Sequence, residues 1–397
     1  MGLRQDMKIL VFNRGSSSLK CVLYDFKQAP NDPVIPLWQA HVEWKRSFTE
    51  PRLTVTNESG VKYSKSSSSK TAEEALKDLM LPLDEIDVIG HRIVHGGNYF
   101  NKITPINSEV KEKIRILSEI APLHNLAELE CIEITEKLFK DVPQFAVFDT
   151  SFHHSLPKAT KIYPGSYKWY EEGIQKFGFH GISFQYCCKR AAKVLNKNIS
   201  SLKMVICHLG SGASLCAIKD GKSMDTTMGF TPLEGLMMDS RSGSIDPGII
   251  LYLLEKQKKS LQEISKEMYQ ESGLLGISGI SSDMRDIIEK SLAGNVRAGL
   301  ALDMYIHRLN SSIGSMVASL KGLDVLVFTA GIGENSSLIR ERVCDTFSFL
   351  GVDLDGVKNA GSDLEDRELS TKKSNIKVLL IYTQEAFEIA SECWRTI

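Results

Sequence analysis

Short apolar runs rich in Val, Ile, Leu and Phe recur along the chain, separated by longer stretches with helical patterning. The clearest runs are Lys8 to Phe12, Ile86 to Val94, Gln144 to Asp149, Lys203 to Leu209, Asp324 to Ala330 and Lys377 to Tyr382. Runs of this length read as buried strands, and their alternation with helical patterns predicts an α/β protein. Each ends in a polar or glycine-rich corner, which is where α/β folds put their chemistry. The serine-rich stretch from Ser64 to Lys70 predicts an exposed loop.

Two segments share one plan. Ile9 to Phe26 and Met204 to Thr226 each read as an apolar strand, a polar residue, a Gly-Ser turn and a second alternating strand. Two copies of a β-turn-β clasp suited to phosphate point to two related domains facing one another, although Gly-Ser hairpins are common enough for chance to answer as well. Length agrees with two domains, since 397 residues exceed what one core usually supports.

Composition narrows the partners. Lys and Arg number 48 against 49 Asp and Glu, a net charge of -1, which argues against a broad basic surface for nucleic acid or an anionic membrane. The eight cysteines show no CxxC or CxxH spacing, so a reduced, cytoplasmic protein is expected. The first residues have too short an apolar run for a secretory signal, and no apolar run reaches membrane-spanning length.

The corners hold the candidate chemistry. The turn Asn13-Arg14-Gly15-Ser16-Ser17-Ser18 offers backbone N–H groups, hydroxyls and an amide that suit phosphate oxygens; an unliganded polar turn explains it equally well. His208 to Ser214 repeats the arrangement with Gly210, Ser211 and Gly212. Neither is a Walker P-loop. In GHRIVHGG the strand period of two puts Arg92 and Val94 on one face, where the guanidinium can grip a carboxylate while Val94 meets a methyl group. His91 and His95 lack an obvious third ligand, so a structural role is expected rather than a metal. Arg241 lies among turn-forming residues between Pro232 and Pro247, and with Arg92 would clamp a charged transition state, although taken singly each reads more simply as a surface or salt-bridged arginine.

Asp149 ends one strand, and Glu385 follows another at an expected helix start with Thr383 as N-cap. Acids so placed can hold Mg²⁺ through water, though an acid in a first helical turn also offsets the helix dipole. His180, between two glycines, is a candidate donor to a moving phosphoryl group; a buried hydrogen-bonded histidine is the plainer reading, and His124 stands likewise. The stretch from Asp324 onward predicts a strand, a glycine corner and a helix from about Asn335, a natural place for a nucleotide. Asp283 and Arg285 lie on a Gly- and Ser-rich loop suited to a ribose or a base edge.

Together these segments resemble the acetate kinase family, in order, from Lys8 to about Ala390. NRGSSSLK, GHRIVHGG, APLHNL, FDTSFHHSLP, GFHGIS, HLGSGAS, MGFTPLEGLMMDSRSGSIDPG, SGLLGISGISSDMRD, FTAGIGEN and TQEAFEIA carry the match. The resemblance implies an actin-like ATPase architecture of two ribonuclease-H-like domains with a cleft between them, residues 1–153 plus 386–397 and residues 154–385. It implies transfer of a phosphoryl group between ATP and acetate, with Mg²⁺ or Mn²⁺, in a homodimer. Arg92 and Arg241 would bind acetate and the moving group, His180 would stabilise that group, and Asp149 and His124 would complete the catalytic set. Val94, Leu123, Phe179 and Pro232 would surround the methyl group. Asn13, Ser16, Ser18, Lys20, His208, Gly210, Ser211 and Gly212 would meet phosphate. Asp283, Met284, Arg285, Gly331, Ile332, Gly333 and Asn335 would hold adenosine, and Asn13, Asp149 and Glu385 the metal.

The chain departs from the family pattern at Arg14, Phe184, Ser211, Asp239, Gln384 and Ala386. Arg14 and Asp239 are opposite in charge, so they either pair when the domains close or are solvated independently. A propionate or butyrate kinase is the alternative enzyme, and a nucleotide-gated binding protein the alternative outside enzymes. Such a binding protein has no use for the two arginine segments.

Overall fold

The computed structural model describes residues 6–15, 18–43, 52–57, 60, 62–66, 74, 85–121 and 124–397. The chain divides into two compact units: Met1–Phe152 with Gln384–Ile397, and His153–Thr383.

In the first unit, β1 (Met7–Arg14), β2 (Ser18–Phe26), β3 (Trp38–Glu43), β4 (Arg52–Asn57), β5 (Lys62–Ser66), β6 (Val88–Ile93), β7 (Thr104–Pro105) and β8 (Gln144–Phe148) form one sheet. Their order is β5-β4-β3-β2-β1-β6-β8-β7. Strands β1 to β5 form an antiparallel meander, whereas β1, β6 and β8 run parallel. The parallel strands need both faces covered, and β1 is accordingly buried from Ile9 through Phe12. Leu10, Phe12 and Ile89 pack with Cys131 and Ile134 of the helix Asn125–Leu138. On the opposite face the C-terminal helix Glu385–Thr396 lies close to β6, because Gly90 has no side chain: a Cβ there would sit 2.7 Å from Ile389 Cγ2 and 2.9 Å from Cys393 Sγ.

The second unit repeats this plan. Strands β9 (Lys203–Leu209), β10 (Ala213–Lys219), β11 (Lys222–Thr226), β12 (Val325–Thr329), β13 (Arg367–Glu368) and β14 (Lys377–Leu380) lie in the order β11-β10-β9-β12-β14-β13. The series β3-β2-β1-β6-β8 and β11-β10-β9-β12-β14 match strand for strand, three antiparallel and then two added parallel. The two similar segments of the sequence are thus the first hairpin of each sheet. Each turn is closed by a bond from its first glycine, Gly15 N donating to Ser18 O at 2.8 Å and Gly210 N to Gly212 O at 3.1 Å.

Three local expectations are corrected. Ser64 to Ser66 are not loop but the end of β5, since pairing with β4 at a sheet edge places no demand for apolar residues; residues 67–70 lie outside the described residues. The helix after β12 begins at Ala330, not near Asn335: a short helix Ala330–Asn335 precedes the helix Ser337–Thr346. The N-cap of the C-terminal helix is Gln384, because the Thr383 hydroxyl bonds Ser183 Oγ at 2.9 Å.

Candidate active site

In the first unit, period-two geometry decides what β6 presents. Ile89 and Ile93 join cores on the side of the helix Asn125–Leu138, and between them His91 bonds Gln144 Oε1 at 2.8 Å. Burial holds the His91 pKa down to about 4, against the opposing bond to Gln144, so it is a neutral core histidine. Gly90 and Arg92 face the C-terminal helix instead, and Arg92 therefore meets acids. Its Nη2 donates to Asp149 Oδ2 at 2.5 Å and its Nη1 to Asn13 Oδ1 at 3.4 Å. Asn13 Nδ2 in turn donates to Glu385 Oε2 at 3.5 Å. One cluster thus gathers Asn13, Arg92, Asp149 and Glu385. Burial opposes charge on Arg92, but the neighbouring acids, Asp149 foremost and then Glu385, outweigh it and raise its pKa.

The donor set of Asn13, Asp149 and Glu385 is all oxygen, as Mg²⁺ prefers. Among the described residues no three His, Cys, Asp or Glu side chains gather as a metal site. Two carboxylates and an amide nevertheless fit an ion that keeps waters and takes its remaining ligands from phosphate. His124 is half-buried at the start of the helix Asn125–Leu138, Val94 is buried, and Lys20 is exposed on β2. Ser18 is half-buried, while Ser16 and Leu123 lie outside the described residues. Arg14 is not independently solvated: it is 9% exposed and its Nη1 donates to Ser18 O at 3.2 Å.

In the second unit, His180 takes a left-handed conformation, φ 57° and ψ 24°, immediately before the helix Gly181–Val194. Neighbours hold it there. His153 Nε2 donates to the carbonyl of Phe179 at 3.0 Å while His153 Nδ1 accepts from Ser223 Oγ, and Ser214 Oγ bonds His180 Nδ1 at 2.8 Å. The His180 ring stacks on His208, with centroids 4.1 Å apart, and His208 bonds Ser183. A Cβ added to Gly212 would stand 3.3 Å from His180 Nε2 and 3.7 Å from Arg241 Nη1. The missing side chain therefore leaves open the space that the imidazole and the guanidinium share. Arg241 Nη1 also donates to Pro232 O at 2.9 Å, which fixes its direction. Burial lowers the Arg241 pKa and Asp239 partly offsets it. Asp239 is itself tied down, its backbone N–H donating to Ser211 O at 3.4 Å.

The β9–β10 turn adjoins the glycine corner, since a Cβ on Gly210 would be 3.7 Å from Ala330 Cβ. Ala330 has φ +64°, and its N–H is capped by Glu334 Oε1 at 2.8 Å. Gly331 faces open space, Asn335 is exposed and donates to Gly331 O, Ile332 is half-buried, and Gly333 is buried. Asp283 caps the helix Met284–Leu292 and pairs with the exposed Arg285, whereas the Met284 side chain is core. Of Phe179, only 1% is exposed.

Sequence reasoning missed Glu128. It is 1% exposed on the helix Asn125–Leu138, and its Oε2 accepts from Val94 N–H at 3.0 Å. The available signal was its spacing: Asn125, Glu128, Ile132 and Thr135 recur at helical period on one face, and all four are buried.

The acetokinase family profile matches residues 8–391. The chain is 51% identical over 399 residues to acetate kinase of Microcystis aeruginosa, covering 98% of this chain and 99% of that one. In structure it is similar to acetate kinase of Porphyromonas gingivalis, with a TM-score of 0.88 and 36% identity over 98% of this chain and 99% of that one. A propionate kinase of Francisella tularensis is similar to the same degree, TM-score 0.88 and 36% identity over 97% and 98% of the two chains.

Proposed function

The chain belongs to the acetokinase family, and from that premise we propose that it transfers the γ-phosphoryl group of ATP to acetate, giving acetyl phosphate and ADP, and the reverse. One observation carries the reading: a half-buried arginine held by a buried acid in one unit, and in the other an arginine and a histidine that share an open space over a glycine.

The acceptor oxygen of a carboxylate carries no proton at neutral pH, so the transfer needs no strong base. An acetate oxygen bonds to the γ-phosphorus as the bond to the ADP oxygen breaks, and the protein's work is alignment and charge neutralisation. Arg92 would grip the carboxylate while Val94 meets the methyl group. Arg241 and His180 would donate to the oxygens of the moving phosphoryl group. Asp149 keeps Arg92 in place, and with Asn13 and Glu385 it would hold Mg²⁺, which when bound neutralises phosphate charge. The β9–β10 turn and the Ala330 corner would receive the nucleotide, through His208, Gly210, Ser211 and Gly212 and through Gly331, Ile332, Gly333 and Asn335. Ser18 and Lys20 would add phosphate contacts, Pro232 and Phe179 would wall the methyl group, and Asp283, Met284 and Arg285 would meet adenosine.

Assaying the purified protein for acyl phosphate from acetate, propionate and butyrate, with ATP, other triphosphates and pyrophosphate, tests this. The expected result is highest kcat/KM for acetate with ATP; no acyl phosphate from any of them overturns it. Propionate is the second reading, since a methylene changes discrimination by only about 1–3 kcal/mol.

We further propose a cytoplasmic homodimer. All eight cysteines are free and buried. Among the described residues no helix is long and apolar enough to cross a membrane. The helix Pro247–Glu255 buries none of its residues and leaves Ile249, Leu251 and Tyr252 exposed, an apolar face that a second copy would cover.

A further inference from the structure

Sheet pairing of β6 with β8 ends at Ile93, so the backbone groups of Val94 and His95 need other partners. The helix Asn125–Leu138 supplies them. Asn125 Oδ1 accepts from His95 N–H at 3.2 Å, and Asn125 Nδ2 donates to His95 O at 3.1 Å. One turn further on, Glu128 Oε2 accepts from Val94 N–H at 3.0 Å.

A neutral amide would suffice for that last bond. A carboxyl group buried to 1% exposure is costly for the fold, and its other oxygen, Oε1, is buried without a hydrogen-bond partner. Arg92, two residues before Val94, is bonded through Nη2 to Asp149 and through Nη1 to Asn13, while its Nε is buried without a hydrogen-bond partner. The carboxyl group therefore stands beneath the segment that carries both the guanidinium and the apolar wall of the acceptor site.

We infer that Glu128 is a positioning and specificity-determining residue for the acceptor: by holding the Val94 peptide it fixes the apolar side chain against which the acceptor's alkyl group is measured. This rests on the reading of Arg92 and Val94 as the carboxylate and methyl grip. Burial lifts the Glu128 pKa to about 8, with Arg92 and the Val94 N–H opposing, so near neutral pH the group is largely protonated and glutamine mimics it in shape and charge.

The test compares E128Q, E128D and E128A in the full chain, with acetate, propionate and ATP each varied. E128A should raise KM for acetate about tenfold and shrink the acetate-over-propionate preference, leaving KM for ATP within about twofold. E128D, one methylene shorter, should move the preference in the same direction, and decides the matter if E128A does not fold. E128Q should restore wild-type values. Unchanged acetate KM and preference in the folded variants, or equal loss with every substrate, overturns the inference while leaving the proposed reaction standing. A wild-type protein that phosphorylates no short carboxylate overturns both.

Discussion

Arg92 and Asp149 form a buried ion pair, 2.5 Å from Nη2 to Oδ2, with side chains 14% and 1% exposed. That pairing separates the two arginines experimentally. Arg92→Ala strands a carboxylate in the core, so it should cost about 3–5 kcal/mol of stability as well as activity. Arg241 has a hydrogen bond to a carbonyl instead, and Arg241→Ala should lower kcat about 100-fold or more while shifting Tm by only a few degrees. Thermal melts beside steady-state kinetics read both; an Arg241→Ala protein with near-normal turnover counts against the proposed reaction.

Gly212→Ala tests the open space directly. No positive φ is required there, so the backbone accepts alanine, but the methyl group lands 3.3 Å from His180 Nε2 and 3.7 Å from Arg241 Nη1. Turnover should fall roughly 10- to 100-fold, as expected for a sub-ångström to one-ångström displacement of transferring groups, with stability almost unchanged. Unaltered kcat in a folded Gly212→Ala enzyme would mean the phosphoryl group does not pass there.

The strands were legible because burial on both faces of a parallel sheet demands continuous apolar runs such as Ile9 to Phe12. The repeated hairpins were legible because in both a Gly-Ser pair directly follows an apolar strand. Strand alternation made legible that Arg92 lies on the opposite face of β6 from His91 and Ile93, but its partners were not legible, since Glu385 and Asp149 reach it through long-range packing. Glu128 escaped because an acid in a first helical turn has an ordinary explanation in the helix dipole, and only the helix's orientation on β6 shows it to be buried. The helix at Ala330 escaped for a similar reason. Glycines there read as a corner, whereas Glu334 caps its start and the buried Arg340 binds the carbonyls of Gly333 and Glu334.

Gly90→Ala should disturb the site from the opposite end of the C-terminal helix. Its methyl group would fall 2.7 Å from Ile389 Cγ2 and 2.9 Å from Cys393 Sγ, and overpacking of this kind costs about 1–3 kcal/mol. Because that helix begins at Glu385, the displacement should also raise the Mg²⁺ concentration needed for half-maximal activity. Adding Ile389→Ala should recover part of both losses. A Gly90→Ala protein with wild-type urea midpoint and metal dependence would show that the close approach is not needed.

Acid sensitivity should trace in part to two buried histidines. Burial holds His91 and His153 down to about 4 from an ordinary 6.5, although bonds to Gln144 and the Phe179 carbonyl push the other way. Unfolded, each takes up a proton near 6.5; folded, each resists until about 4. Their contribution to stability is therefore complete above 6.5 and is lost as pH falls toward 4, at up to about 1.4 kcal/mol per pH unit for each. His153→Gln removes one of these protons, so its stability, measured by urea denaturation from pH 7 to pH 4, should fall less steeply than wild type even if it starts lower. Curves that run parallel across that window would place the acid sensitivity elsewhere.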